Sequence, residues 1–101
     1  MPPSSPEALR ELPPSDAATL PTLLHALWHD AHGDWASAHA LAQDVDTPDG
    51  ARVHAYLHRK EGDTFNANYW YRRAGQPAYT GSLEDEWMFI VTALLAAPFQ
   101  H

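Results

Sequence analysis

The chain has 101 residues, with thirteen acids against six bases and seven histidines, a formal charge of -7 with histidine neutral. One domain with one modest core is the expectation at this length, and the acidic balance excludes a general nucleic-acid binder, whose phosphate contacts need a basic face. The absence of cysteine removes disulfides, thiolate metal sites and thiol nucleophiles and fits a reducing, cytoplasmic setting; with neither a secretory leader nor a run of about 18 apolar residues, no membrane partner is expected.

Residues 1–20 and Pro21 hold six of the nine prolines. Missing backbone donors and restricted preceding residues make 1–20 a mostly irregular arm, with Pro6 to Leu12 the only stretch suited to a short helical turn or two. The remainder, 21–101, reads as a single helical domain. From Pro21 onward Leu24, Leu27, Trp28 and Ala31 recur at helical spacing up to Gly33, which suits a stop. Asp34 caps a second helix carrying Ala38, Leu41, Ala42 and Val45, and Thr47-Pro48-Asp49-Gly50 ends it. A second hairpin follows the same plan, with Val53, Tyr56 and Leu57 before Gly62-Asp63 and Phe65, Ala67, Tyr69, Trp70, Tyr71 and Ala74 after it. That last helix is apolar on more than one side, so it is either sandwiched or offers an aromatic surface. Ser82 with Asp85 forms a capping box for a final helix whose stripe, Leu83, Trp87, Ile90, Val91, Leu94 and Leu95, is suited to cover the open end of the second hairpin. The expected fold is all-α, with about five main helices: antiparallel hairpins near 21–46 and 49–74 and a capping helix near 82–97.

The two hairpins are copies of one unit. At an offset of 29 residues His25 falls on His54, Ala26 on Ala55, His29 on His58, Gly33 on Gly62, Asp34 on Asp63, Ala38 on Ala67 and Pro48 on Pro77. A fixed period between 20 and 50 residues is the signature of stacked helical hairpins. The second copy, with Ala55, Gly62, Asp63, Ala67, Trp70, Tyr71 and Ala74 at its helix contacts, resembles a tetratricopeptide or Sel1-like unit; the first keeps Ala26, Gly33, Asp34 and Ala38 but has Leu41 and Ala42 in place of the aromatic pair. The period is shorter than the family's usual ~34 residues, so the link between hairpins is tighter. The same block also looks like one found in an uncharacterised family of small bacterial proteins.

The tetratricopeptide resemblance implies a protein-interaction module or small adaptor whose groove binds a peptide or protein partner. Carried over, the groove of the second hairpin falls on Asp49, Arg52, Tyr56, Arg59 and Lys60, and that of the first on Leu20, Leu23, Leu27, Asp30 and Ala31, which the arm can cover. Arg52, Tyr56, Arg59 and Lys60 suit an acidic peptide or a free carboxylate, because Arg presents a fork of donors. The rival reading pairs these bases with the chain's own acids, for instance those at 44–49. Phe65 and Tyr69 share a side of their helix and, if exposed, make a patch for self-association into a homodimer.

Histidine supports the alternative function, divalent-metal binding. His25/His29 and His54/His58 are each spaced i, i+4 at equivalent repeat positions, and stacking brings the two faces together, with Asp30 or His32 nearby. Against this, the tetratricopeptide resemblance implies that these places pack against the second helix of their own hairpin, which suits hydrogen-bonded, partly buried imidazoles, and no carboxylate orienting each ring is evident. An enzyme ranks last. His39 or His58 beside Asp34 or Glu61 gives only the general-base pairs that seven histidines and thirteen acids supply by chance, and without a phosphate loop, nucleophile elbow or inward carboxylate pair neither a catalytic residue nor a cofactor is expected.

Overall fold

The computed structural model describes residues 3–96, and these are all helix and connecting segments, with no strand among them. Seven helices follow one another: α1 (Pro6–Arg10), α2 (Pro14–Ala17), α3 (Thr22–Ala31), α4 (Trp35–Ala42), α5 (Pro48–Lys60), α6 (Thr64–Ala74) and α7 (Leu83–Ala96). Four of the five longer ones agree with the expected elements within a residue or two at each end; α4 instead stops at Ala42, four residues short of the expected 46, so Val45 lies beyond the helix, and the far end expected for the last, residue 97, lies outside the described residues.

Local chemistry sets the boundaries. At both Gly-Asp pairs the glycine takes a left-handed conformation, φ 81° at Gly33 and 89° at Gly62, which an L side chain adopts only under strain. Each following aspartate then accepts a backbone N–H of the next helix, Asp34 from Ser37 at 3.0 Å and Asp63 from Asn66 at 3.1 Å. Ser82 accepts from the Asp85 N–H at 3.0 Å at the start of α7. Thr47-Pro48-Asp49-Gly50 both closes the α4 segment and opens α5: the Thr47 hydroxyl caps α5 by accepting from the Gly50 N–H, and Pro48 occupies a first-turn position where a missing donor costs nothing.

The same role for proline explains the arm. Pro6 and Pro14 start α1 and α2 rather than breaking them, and α2 is a helix that the proline density of this segment hides. The arm then lies against the domain. Leu9 and Ala17 are fully buried, and the Leu12 carbonyl accepts from Trp28 Nε1 at 3.0 Å. With these residues in place over α3, its apolar face is covered from the N-terminal side.

Helices α3 and α4 pack on one another as one hairpin and α5 and α6 as the next, while α5 also touches α3, α4 and α7. The main core gathers Leu9, Leu24, Leu27, Trp28, Val53, Leu57, Trp87, Ile90 and Val91, and a smaller cluster of Ala55, Ala67 and Tyr71 lies between α5 and α6. Three tryptophans bridge elements through their indole N–H, each donating to a carbonyl of another segment: Trp28 to Leu12, Trp35 to Leu57 at 2.8 Å and Trp87 to Leu27 at 3.0 Å. No described helix is long and apolar enough to cross a membrane.

Candidate metal centre

The histidine positions of the repeat part company in three dimensions. On α3, His25 and His29 lie with ring centroids 4.6 Å apart beside the Trp28 ring, and His29 faces Asp34 at 3.7 Å. On α5, His54 and His58 are stacked at 4.8 Å, and their neighbour across the helix interface is His39 of α4. The grouping His25, His29, His54 and His58 is therefore replaced by His39, His54 and His58. Asp30 and His32 take no part: Asp30 accepts from Tyr56 and Lys60, and His32 Nδ1 sits 2.8 Å from the Trp28 carbonyl.

Geometry favours convergence of the three rings. His39 Nε2 and His54 Nε2 are 2.9 Å apart, one donating and the other accepting, and ligand nitrogens of all three residues lie within 4.8 Å of one another. A tetrahedral ion with metal–nitrogen bonds of about 2.0–2.1 Å needs its nitrogens roughly 3.3 Å apart. Rotamer adjustments of the order of an ångström thus suffice, and the Nε2 proton shared by His39 and His54 can move to Nδ1 of its own ring to free the lone pair. His58 is already prepared: its Nδ1 is 2.8 Å from Glu61 Oε2, so the ring donates there and leaves Nε2 as the acceptor.

The surroundings hold these rings in place and keep His39 and His54 neutral. Trp35 stacks on His39 at 4.8 Å and Trp70 on His54 at 4.0 Å, closing two sides of the cluster. His54 is buried, 7% exposed, whereas His39 and His58 are half-buried and give an ion a way in. Burial, reinforced by the neighbouring His39 and His58, lowers the His54 pKa to about 4, and burial followed by His58 lowers that of His39 despite the opposing pull of Glu61. A second grouping, His58 with Glu61 and Asp63, shares His58, but Asp63 is already occupied in capping α6.

The stripe Arg52, Tyr56, Arg59 and Lys60 faces the protein's own acids, though not those at 44–49. The Tyr56 hydroxyl donates to Asp30 at 2.7 Å and Lys60 Nζ to Asp30 at 2.8 Å; Arg59 donates to Glu86 at 2.9 Å and to the Gly81 carbonyl. Glu86 is fully buried and also accepts from the Tyr71 hydroxyl. Each phenol has its pKa pushed up by burial first and then by its carboxylate partner. Arg52 differs from the rest: its Nε reaches only to 3.6 Å from Glu86. Asp46, within the expected stretch of acids, pairs instead with Arg73 at 3.8 Å.

Phe65 is 81% exposed and Tyr69 40%, with the Tyr69 hydroxyl accepting from Arg73 at 3.1 Å. Sequence reasoning missed His39 as a ligand and Asp30 and Glu86 as buried acids. For Glu86 a signal exists, because it lies one helical turn before Ile90 on the apolar stripe of α7. Compared with protein-family models, curated proteins and solved structures, the chain matches none.

Proposed function

We propose that this protein binds one divalent first-row metal ion, zinc foremost, through His39, His54 and His58. The observation that carries this reading is the meeting of three imidazoles from two helices at ligand spacing, one of them oriented by Glu61 through its far nitrogen. Three imidazole nitrogens suit zinc, copper, nickel and cobalt rather than calcium or magnesium, which take oxygen ligands. Three protein ligands also leave a position for water or an exogenous group, unlike closed structural sites with four. Because His39 belongs to one hairpin and His54 and His58 to the next, the ion would tie the two hairpins together, and in this reading they form a short tetratricopeptide-like pair.

An adaptor role through the basic stripe has less support, since Tyr56, Arg59 and Lys60 are engaged by Asp30 and Glu86. Metal analysis of untagged protein purified without chelator tests the proposal. One equivalent of bound metal is expected, lost in His39→Ala and in the double variant of His54 and His58, and retained in His25→Ala and His29→Ala. Protein that stays metal-free when offered zinc, or zinc that survives loss of all three ligands, contradicts it.

A further inference from the structure

Arg52 stands apart from every other cation of the interior. Glu86 carries one negative charge and is shared by two guanidinium groups, Arg59 at 2.9 Å and Arg52 at 3.6 Å. Arg59 holds the close contact and adds a bond to the Gly81 carbonyl, so Arg52 is left with only the longer approach to Glu86. Among the described residues the Arg52 Nε is buried without a hydrogen-bond partner, and the side chain as a whole is only 12% exposed. Burying a donor of a charged group without an acceptor is costly unless something supplies one.

The guanidinium is held in place by aromatic rings. Its carbon lies 5.8 Å from the Tyr71 ring centroid, 5.9 Å from Tyr79 and 5.3 Å from Phe89, three faces that fix its orientation and strip it of water without using its donors. Beside it opens a pocket of about 230 Å³ whose walls include Phe89, Ile90, Ala93 and Leu94 of α7, with Asp49 and Gln76 also lining it. A fork of donors at one end of an apolar recess matches a carboxylate carried on an apolar body. With one guanidinium and the Asp49 carboxylate both in the lining, a doubly charged phosphate is disfavoured. Small ligand pockets start at about 300 Å³, so the recess accepts a body no larger than one side chain.

We infer that the Arg52 pocket is a binding site for a single carboxylate borne on an aromatic or aliphatic group of side-chain size. Two sources carry this chemistry: the terminal carboxylate of a peptide ending in an apolar residue, and a free aryl-alkyl acid. The site lies on α5 and α7 and needs no metal, so it stands or falls independently of the histidine cluster.

Calorimetric titration of the full chain with 3-phenylpropanoate and with 3-phenylpropanamide tests it, alongside a short peptide ending in phenylalanine with its terminus free or amidated. The acid is expected to bind saturably, with the amide weaker by about tenfold or more, a difference of ~1.4 kcal/mol. The same ratio between free and amidated peptide identifies a peptide terminus as the source; peptides that fail to bind while the small acid binds identify a free acid. Arg52→Gln should abolish the preference for the charged form. Because that change also alters the Glu86 environment, Ala93→Trp serves as the second variant, filling the recess from an exposed position and abolishing binding with the melting temperature kept. Equal binding of acid and amide, unchanged binding in Ala93→Trp, or no saturable binding of either carboxylate would overturn the inference.

Discussion

His54 concentrates the residue-scale argument, because burial and two neighbouring imidazoles hold its pKa at about 4 while the unfolded chain titrates near the ordinary value of 6.5. Above pH 6.5 neither state binds the proton and His54 is neutral in its effect. Below it the unfolded state protonates first, so stability is lost as pH falls from 6.5 toward 4, by up to roughly 3 kcal/mol at 1.36 kcal/mol per pKa unit. Asp34 and Asp63, whose pKa values are lowered first by side-chain hydrogen bonds from Ser37 and Asn66 and then by the backbone cap bonds, stabilise at higher pH and lose that contribution only below the ordinary carboxylate range. Melting temperatures measured without metal should therefore fall between pH 6.5 and 4.5, and His54→Gln should flatten that slope; an unaltered slope in the variant contradicts the assignment. Glu86 gives the second test at this scale. Removing a fully buried carboxylate between two arginines leaves charge uncompensated, so Glu86→Ala should destabilise by about 3–5 kcal/mol in denaturant titration. A loss below 1 kcal/mol would place the weight of the interior elsewhere.

At the scale of elements, the junction between hairpins is the tightest point. A Cβ built on Gly50 would lie 2.0 Å from the Val45 carbonyl oxygen, so the first turn of α5 crosses the end of the α4 segment at a separation that only glycine allows. Gly50→Ala should cost about 1–3 kcal/mol, the usual range for overpacking, and because it moves α5 against α4 it should also weaken metal binding. Chemical denaturation and zinc titration of the same variant check both halves. Here the sequence is legible up to a point. Gly33-Asp34 and Gly62-Asp63 announce turn and cap because both tasks are local. The i, i+4 pairing of His54 and His58 is equally local, whereas His39 meets them only through the rotation of α4 about its axis against α5, which no spacing records. The short α2 escaped for the opposite reason: its prolines read as breakers although one of them sits where a helix can begin.

Across the whole molecule, α5 is the shared element. It contributes two histidines toward α4 and α6, Tyr56 and Lys60 toward α3, and Arg52 and Arg59 toward α7. The basic residues on α5 that suggest a partner-binding groove in sequence are thus largely what joins the layers in the fold, with the buried acids Asp30 and Glu86 as their counterparts. An ion held between α4 and α5 would add to this joint. Binding only the folded chain, zinc at a hundred times its dissociation constant should stabilise it by about 2.7 kcal/mol. The surface patch, by contrast, should be nearly neutral: Phe65→Ser, at a position 81% exposed, should change monomer stability by less than about 0.5 kcal/mol in denaturant titration at low protein concentration.

Titration with cobalt, read by visible absorption, addresses the central claim most directly because the intensity of its d–d bands reports coordination geometry. One equivalent should produce the strong bands of a four-coordinate ion, displaced by zinc and absent in His39→Ala, while quenching the fluorescence of Trp35 and Trp70, which stack on the ligand rings. Weak octahedral bands that are the same in the wild-type chain and in His39→Ala would mean that the three histidines hold no metal.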